Sequence, residues 1–352
     1  MRLTHLDLTG FRIYRELSLD LPDGLNVLWG GNAQGKTAFL EALYLLATSR
    51  SFRTRTEREL IHWEAGEGRI QAVFQRDSGR QRQLEFLWRR PGLERQVRLM
   101  GQPVRKLSEF LGEVLLSLFT PGDLALVQGG PEERRRYMDL ILCKLYPTYL
   151  GSLLQYQRVV RQRNELLRRQ ARAVELEPWD VLLERHAALL LDRRAELCRQ
   201  LDPWFRNLYV ELSGEPQEVS LRYAPQSTDI RADLAARRPE ELRQRTTLVG
   251  PHRDEVPLRL GDRSLRRFGS QGQQRTAVLA LRLAEAKALQ ERSGEGALVL
   301  LDDCLSELDA ARQARLLQAL TEVRQVFLTT AVAPPPLSGH IWRVQAGQVF
   351  PA

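Results

Sequence analysis

Eight consecutive residues near the N-terminus combine glycines, a lysine and a threonine at the spacing Gly-x-x-x-x-Gly-Lys-Thr. They are Gly30, Gly31, Asn32, Ala33, Gln34, Gly35, Lys36 and Thr37, and they directly follow the apolar run 25–29. A strand that leads through such a turn into a helix aims successive backbone N–H groups at one point, where the positive end of the helix dipole also lies. Only glycine lets the chain come that close to a phosphate. The pattern therefore predicts a nucleotide-binding P-loop, formed by these eight residues and Ala38.

A second chemical signal is the pair Asp302 and Asp303 at the end of the apolar run 297–301. A buried strand that ends in paired aspartates is typical of a Walker B motif. We expect Asp302 to hold Mg²⁺ through its water shell, with Thr37 as the hydroxyl ligand, and Asp303 to face the attacking water. A solvated turn is the alternative, but two carboxylates after five apolar residues would repel each other there. We also expect the strand of Asp302 to lie beside the P-loop strand.

The third signal is the segment 268–275, which reads FGSQGQQR and opens a helical run with an apolar face. It resembles the signature motif of the ABC ATPases, in which the motif contacts the γ-phosphate held by the other subunit. Ser-x-Gly-Gln at a helix start is itself an anion site, because the serine hydroxyl, the glycine backbone and the helix dipole converge there. The resemblance implies that Ser270, Gly272 and Gln273 bind the nucleotide in a head-to-tail dimer with two ATP molecules between its subunits. An ordinary helix N-cap is the alternative, but the position 32 residues before Asp302 favours the signature.

Two segments extend the nucleotide motifs beyond the paired aspartates. The segment 306–309 reads SELD and matches the D-loop of the same superfamily. The next predicted strand, 327–330, ends where many relatives carry a switch histidine, and no histidine is present there. Either Thr330 senses the phosphate or no residue at this position does. Together with Ser270, Lys36 and Asp303 are the predicted catalytic residues.

Beyond these motifs the chain resembles the RecF family, bacterial recombination-repair ATPases related to the structural-maintenance-of-chromosomes (SMC) proteins. The resemblance extends almost from end to end. It includes GFR at 10–12, SFR at 51–53, FTPGDL at 119–124, GGP at 129–131, QRN at 162–164 and GPHRD at 250–254. The paired aspartates, where ABC transporters usually have Asp-Glu, also agree with RecF. Slow hydrolysis is expected, because the shorter carboxylate reaches the water less easily.

The RecF resemblance implies a weak, DNA-stimulated ATPase that uses ATP and Mg²⁺ and dimerises on ATP. It implies a clamp on single- and double-stranded DNA, at junctions or gaps. The clamp would work with RecR in gap repair and, through RecO, would help to load RecA.

The resemblance also assigns roles to three further residues. In SMC-type ATPases an arginine after the first strand reaches the nucleotide phosphates, so Arg12 is assigned that role, with an ordinary surface arginine as the alternative. Gln128 is a candidate Q-loop ligand of Mg²⁺. His252 is expected to be a structural or interface histidine rather than a catalytic one.

The fold class is predicted to be α/β. The resemblance implies an ABC-type, SMC-like ATPase head, and the spacing of the motifs predicts that a compact helical lobe splits this head into N- and C-lobes. The two strands that carry the P-loop and Asp302 are about 270 residues apart and belong to one ATPase, so the chain between them is an insertion. We place the β-rich N-lobe at 1–130, the helical insertion at 131–245, and the C-lobe with the signature, Walker B and D-loop at 246–352.

Prolines set further expectations for the insertion and for the end of the C-lobe. Pro178, Pro203, Pro216 and Pro225 are expected to interrupt the helices within a few turns of one another, which excludes a long coiled-coil rod. The prolines at 334–336 are predicted to end the strand that contains Thr330.

Positive charge is concentrated in parts of the chain. The formal net charge is +8, and residues 50–106 alone hold 14 basic and 7 acidic side chains. Such concentration is expected where the partner is made of phosphate. The first candidates for DNA contact are Arg50, Arg53, Arg55 and Arg58, and the second are Arg158, Arg161 and Arg163 on one predicted helix. For the second group, a solvated helix face paired with neighbouring acids is the alternative.

The cysteines and the absence of long apolar runs set the expected compartment. Cys143, Cys198 and Cys304 are widely spaced without metal-ligand spacing, which is typical of a reducing cytosol. No run approaches the eighteen or so apolar residues of a membrane span, and the N-terminus lacks a signal-peptide core. We therefore expect a soluble, cytoplasmic protein without a membrane partner.

Two other functional classes share the nucleotide motifs. A transporter ATPase subunit is disfavoured by the 115-residue helical insertion and by the basic balance of the chain. An SMC-type structural protein of the chromosome is disfavoured because no long coiled coil or hinge is predicted.

Overall fold

The computed structural model describes residues 1–90, 92–333 and 338–352, which form two compact units. Unit 1 comprises Met1–Asp123, Leu208–Pro216 and Arg275–Ala352, and unit 2 comprises Leu124–Asn207 and Gln217–Gln274. The split of the ATPase head is confirmed, since one unit contains both ends of the chain. The unit boundaries differ from the predicted lobes in three places: residues 124–130 and 246–274 belong to unit 2, and residues 208–216 belong to unit 1.

Both units contain strands and helices. The strands are β1 (Arg2–Phe11), β2 (Tyr14–Asp20), β3 (Gly24–Trp29), β4 (Glu67–Gln75), β5 (Gln81–Arg89), β6 (Glu94–Leu99), β7 (Gln102–Pro103), β8 (Leu116–Phe119), β9 (Val219–Leu221), β10 (Leu258–Leu260), β11 (Arg263–Ser264), β12 (Leu298–Leu301), β13 (Gln325–Thr330), β14 (His340–Gln345) and β15 (Gln348–Pro351). The α-helices are α1 (Lys36–Thr48), α2 (Ala125–Gln128), α3 (Pro131–Leu145), α4 (Pro147–Arg168), α5 (Ala173–Ser213), α6 (Ile230–Gln244), α7 (Leu265–Phe268), α8 (Gln271–Ser293) and α9 (Ala310–Leu320).

Unit 1 contains two six-stranded sheets. The first, in the order β2-β1-β4-β5-β6-β7, is antiparallel and confirms the β-rich N-terminal region. The second has the order β15-β14-β3-β13-β12-β8, and its strands from β14 to β8 are parallel. Every residue of β12 and β13 is buried, as expected for central strands of a parallel sheet covered on both faces. This second sheet positions the nucleotide motifs.

The prediction that the strand of Asp302 lies beside the P-loop strand is wrong. β13 pairs in parallel with β3 on one side and with β12 on the other, and so separates them. Parallel neighbours are joined by long crossover connections, so apolar runs in the sequence do not reveal their order in the sheet. The order still brings the carboxyl ends of β3, β13 and β12 to the same edge of the sheet. The P-loop starts at this edge, and both aspartates lie there.

Unit 2 consists mainly of α3, α4, α6 and most of α5, with a small sheet in the order β11-β10-β9. The prediction that Pro178 and Pro203 interrupt helices is wrong, because both lie inside the 41-residue α5. A proline inside a helix costs about 3 kcal/mol. Around Pro203 this cost is offset by packing, since Leu201 and Phe205 are both fully buried.

Other expectations about the chain's ends and its cysteines can be compared with the structure. β13 does end at Thr330, whereas the prolines at 334–336 lie outside the described residues. The three cysteines are free and buried. In the described part of the chain, none of the helices has the length and apolar character needed to cross a membrane.

Candidate nucleotide-binding site and nucleic-acid surface

The P-loop runs from the end of β3 into α1, and two of its glycines cannot be replaced without strain. Gly30 has φ 155° and Gly35 has φ 122°, both outside the range of ordinary side-chain-bearing residues. A Cβ atom on Gly30 would lie 2.2 Å from the carbonyl oxygen of Val344, and one on Gly35 would lie 2.9 Å from the hydroxyl of Tyr14. No side chain caps the start of α1. Its first backbone N–H groups therefore remain available to an anion.

Lys36 folds back over its own loop. Its ammonium group donates to the carbonyl oxygens of Gly30, at 2.6 Å, and of Gly31, at 2.7 Å. Burial lowers the pKa of Lys36, although the nearby Asp303 and Asp302 raise it. The loop thus holds one positive charge at its centre, where bound phosphates would need a counter-charge.

The predicted metal ligands Thr37 and Asp302 come together although 265 residues separate them. The Thr37 hydroxyl donates to Asp302 Oδ1 at 3.0 Å, and the Thr329 hydroxyl donates to the same oxygen at 2.7 Å. Burial raises the pKa of Asp302, and the two threonine hydrogen bonds act in the opposite direction.

One carboxylate and one hydroxyl form the hard-oxygen set that suits Mg²⁺, an ion that usually keeps several waters and phosphate oxygens as its other ligands. Asp303 follows directly, with φ 47°, a strained value for a residue other than glycine. Its Oδ1 is buried and has no hydrogen-bond partner within the described residues. An orphaned carboxylate oxygen beside a metal-type oxygen pair fits the predicted assignment, in which Asp303 faces a ligand or an attacking water.

Thr329 is a site residue that the sequence analysis missed. Besides its contact with Asp302, its hydroxyl accepts from the backbone N–H of Asp303 at 3.0 Å. Thr330, the candidate phosphate sensor at the end of the same strand, donates its hydroxyl to the carbonyl of Val332. Thr329 reaches Asp302 because β13 is the direct neighbour of β12, and Thr330 points to the opposite face of the strand. The contact therefore depends on the position of β13 in the sheet. That position is the feature the prediction had wrong.

The predicted signature segment lies in unit 2 up to Gln274, and it forms a capping box. The backbone N–H of Gln273 donates to the Ser270 hydroxyl at 3.2 Å, and the backbone N–H of Ser270 donates to Gln273 Oε1 at 2.8 Å. The side chain of Gln273 also donates to Gln217 Oε1 at 2.8 Å. The N-cap alternative is therefore present, and it fixes the exposed Ser270 at the start of the 23-residue α8.

Gln128 lies at the end of α2, in the same unit as the signature segment. Its side-chain amide donates to Gln274 Oε1 at 2.8 Å. The amide of Gln274 in turn donates to the carbonyl oxygen of Gly269 at 3.1 Å. Gln128 thus braces the turn before α8, and its assignment as a Mg²⁺ ligand stays a prediction.

Arg12 makes a two-pronged ion pair with Glu41, a fully buried residue of α1. Its Nε and Nη2 donate to the two carboxylate oxygens at 2.8 and 2.7 Å, and its Nη1 donates to the carbonyl of Glu59 at 2.8 Å. Arg53 lies 3.5 Å from the same carboxylate, and the Ser51 hydroxyl also donates to it. Arg12 is therefore engaged by the P-loop helix in this structure, and its contact with nucleotide phosphates stays a prediction.

The arginines predicted to contact DNA differ in exposure. Arg50, Arg53, Arg55 and Arg58 are exposed in unit 1, and Arg158 and Arg161 are exposed in unit 2. These six remain candidates.

Arg163 was wrongly assigned to the DNA surface. Its side chain is fully buried, with Nε donating to Asp180 at 2.7 Å and Nη1 donating to Glu241 and to Thr247, each at 3.0 Å. On α4 it shares a buried face with Tyr156 and other apolar residues at helical spacing. That periodicity was the signal that could have placed it inside.

His252 agrees with the structural role expected for it. Its Nδ1 lies 2.6 Å from the Tyr156 hydroxyl, and its Nε2 lies 3.1 Å from the carbonyl oxygen of Thr247. Burial lowers the pKa of His252 to about 4. The imidazole is therefore neutral near pH 7 and serves as a hydrogen-bonding link inside unit 2.

Comparisons with known proteins agree with this geometry. The family model described as RecF/RecN/SMC N terminal domain matches residues 2–335. The DNA replication and repair protein RecF of Synechococcus sp. (strain JA-3-3Ab) is 40% identical over 375 residues, covering 100% of this chain and 98% of the relative. The protein of the same name from Herpetosiphon aurantiacus is 38% identical over 386 residues and is covered completely, as is this chain.

Solved structures show the same relationship. The structure of the recombination mediator protein RecF-ATPrS in the RecFOR pathway has a TM-score of 0.90 and 27% identity, covering 99% of this chain and 98% of that one. A SmcHead bound to the C-winged helix domain of ScpA has a TM-score of 0.61 at 15% identity, covering 100% of this chain and 98% of that one. The second likeness shows a shared fold.

Proposed function

This chain belongs to the RecF family of SMC-like ATPases, DNA replication and repair proteins, and from that premise we propose that it is an ATP-driven, dimeric clamp on DNA. Because the chain belongs to this family, we do not propose either of the two alternative classes, a transporter ATPase subunit or an SMC-type structural protein. The observation that carries the proposal is the hydrogen-bonded set of Thr37, Asp302 and Thr329 beside the orphaned Asp303 oxygen. This set leaves one carboxylate oxygen of Asp303 free to bind a ligand at the sheet edge where the P-loop begins.

Each site residue has a role in the proposed hydrolysis. The backbone N–H groups at the start of α1 and the ammonium of Lys36 bind the phosphates of ATP. Thr37 and Asp302 would hold Mg²⁺, which when bound neutralises charge that develops on the transferred phosphoryl group. Thr329 keeps Asp302 oriented, and Asp303 orients the attacking water through its unpaired oxygen. The shorter side chain of Asp303, compared with glutamate, is the reason to expect weak ATPase activity.

Dimerisation is proposed because the signature segment offers an anion site at an exposed helix start. Ser270, Gly272 and Gln273 would contact the γ-phosphate bound by a second copy of the chain, so that two ATP molecules join two subunits. The capping box supports this role, since it holds the Ser270 hydroxyl at the positive end of α8. Hydrolysis would then reset the clamp.

The DNA-bound state is proposed from charge and from family. Two copies joined across their nucleotides would bring two sets of exposed arginines, those at 50, 53, 55 and 58, onto one DNA molecule. The gain in affinity then comes from effective concentration rather than from new contacts. DNA is expected to stimulate hydrolysis, and single- and double-stranded DNA at junctions or gaps are the proposed substrates. RecR is the proposed partner, with RecO and RecA acting in the same pathway.

The composite site can be tested with one substitution. Ser270→Arg places a bulky cation where the phosphate of the second subunit must bind, so it should block ATP-dependent dimerisation and leave ATP binding to the monomer intact. Ser78→Arg, the same change at an exposed turn between β4 and β5, is the matched control and should dimerise normally. Light scattering with and without ATP measures both. Normal dimerisation of the Ser270 variant would contradict the composite site.

A further inference from the structure

Trp63 is the most exposed of the large apolar side chains in the described part of the chain. It is 80% exposed, whereas Trp88 and Trp342 are 1% and 8% exposed. A single exposed apolar residue is common on protein surfaces and needs no explanation by itself. Trp63 differs because the chain around it is tied down and because its surroundings are strongly charged.

The backbone before Trp63 is anchored to the first sheet of unit 1, and the loop is closed by a local turn. The N–H of His62 donates to the carbonyl of Gly10 at 2.8 Å, and the N–H of Ala65 donates to the carbonyl of His62 at 3.0 Å. Arg90 donates to the carbonyl of Trp63 at 3.3 Å. The indole also meets the buried His62 ring edge-on, with 5.4 Å between ring centroids. The protruding ring is thus held in place, which reduces the entropy it would lose on binding a partner.

The acidic side chains near Trp63 are largely neutralised by arginines. Glu64 pairs with Arg15 at 2.5 Å, and Glu67 pairs with Arg89 at 3.4 Å. A third pair joins Glu57 to Arg95 at 2.7 Å.

Two arginines shortly before Trp63 in the chain, and Arg90, which contacts its carbonyl, have no acidic partner in the described part of the chain. Arg55, Arg58 and Arg90 make no ion pair within the described residues, and all three are exposed. Glu59 is also exposed and makes no ion pair within the described residues, so it offsets one of these three charges. The charged side chains around the single aromatic ring still carry a net positive charge. A shallow hollow of about 270 Å³ lies beside Trp63, and its charged lining residues are Arg15, Glu64 and Glu67.

From this combination we propose that Trp63 stacks on an unpaired base where a single strand leaves a duplex, while the neighbouring arginines hold the phosphate backbone. An aromatic ring stacks on any base, because every base has a π-face, but it needs a base that is not already stacked and paired. A blunt duplex offers no such base along its length. The inference rests on the proposed DNA-binding function and adds to it a residue that selects the DNA structure.

The test compares two DNA probes, a blunt duplex and the same duplex with a single-stranded extension. Base stacking on an aromatic residue contributes about 1–3 kcal/mol, so Trp63→Ala should weaken binding of the extended probe by roughly 5- to 150-fold. Binding of the blunt probe should stay unchanged, which also shows that the variant is folded. Trp63→Phe should retain most of the affinity for the extended probe. Phe350→Ala, which removes a 45% exposed aromatic ring elsewhere in unit 1, is the matched control and should change neither affinity.

An abasic probe separates stacking from a structural role. Removing the bases next to the junction should weaken binding of the wild-type protein by the same factor as Trp63→Ala, and should weaken binding of the variant no further. Additive losses, or equal loss on the blunt and extended probes, would overturn the proposal, as would unchanged binding of the extended probe by Trp63→Ala. If DNA affinity does not depend on ATP but still falls in Trp63→Ala, the clamp proposal is overturned and the stacking proposal is kept.

Discussion

The two units of this protein both bury charged groups, and they differ in what those groups contact. In unit 2, Arg194 is 3% exposed and donates to both oxygens of Asp139 and to the carbonyl of Pro251. In unit 1, Lys36 has only backbone carbonyls as hydrogen-bond acceptors, and one oxygen of Asp303 has no partner within the described residues. A buried charge that is saturated by protein groups is structural, because removing its partner leaves an uncompensated charge inside the fold, whereas a buried charge with unused bonding capacity is prepared for a ligand.

Removing the unsaturated cation of unit 1 should have the largest effect. Lys36→Met is expected to abolish ATP binding, because it deletes the counter-charge for the phosphates and leaves the P-loop carbonyls without their donor. Titration with a fluorescent ATP analogue measures this, and Lys106→Met, a change at an exposed lysine, should bind like the wild type. ATP binding by the Lys36 variant at near wild-type affinity would show that the loop is not the phosphate site.

The neighbouring aspartates should separate two functions. Asp303→Asn is expected to bind ATP and Mg²⁺ but to hydrolyse ATP 10²- to 10⁴-fold more slowly, the usual contribution of a general base. It should therefore accumulate as a long-lived dimer on DNA. Asp302→Asn should instead weaken Mg²⁺ binding to the ATP complex. Single-turnover hydrolysis and Mg²⁺ titration distinguish the two, and equal loss of nucleotide binding in both variants would contradict the assignment.

The saturated charges of unit 2 should affect stability. Arg163→Ala leaves Glu241 buried without its main partner, and breaking a buried pair costs about 3–5 kcal/mol in the free energy of unfolding. Arg161→Ala removes an exposed arginine from the same helix and should change that free energy by less than about 0.5 kcal/mol. Urea denaturation measures both. If the two variants are equally stable, a buried charge with a full set of protein partners is not necessarily a structural one, and the comparison of the two units fails.

Exposed arginines of unit 1 should give the smallest effect, and only in the presence of DNA. Each arginine–phosphate contact contributes roughly 0.9 to the slope of log K against log salt on duplex DNA. Arg53→Ala combined with Arg55→Ala should reduce that slope by about 1 to 2 and leave ATP-driven dimerisation intact. Anisotropy titrations over a range of salt concentrations measure the slope. An unchanged slope would move the DNA surface to Arg158 and Arg161.

Sequence reasoning located the groups of the nucleotide site but not all of their neighbours. The P-loop and the paired aspartates were found because each is a local pattern at the end of an apolar run. Thr329 was missed because its role depends on β13 lying between β3 and β12, and the order of parallel strands is not a local property.

In unit 2, two predictions were wrong because each rested on a single property of one residue and left out the packing around it. Arg163 was assigned to the surface from its charge, although its helical phase placed it with buried residues. Pro203 was expected to end a helix, and the packing of the apolar residues around it outweighs the lost hydrogen bond. In both cases tertiary packing decided the outcome.

The central claim is that ATP joins two copies of the chain through the unsaturated site of one and the signature segment of the other. The most direct test is the molecular mass in solution, measured by light scattering without nucleotide and with ATP and Mg²⁺, using Asp303→Asn to prevent turnover. The account predicts 40.4 kDa without nucleotide and twice that mass with ATP and Mg²⁺. A mass that stays at 40.4 kDa while ATP is bound would contradict it.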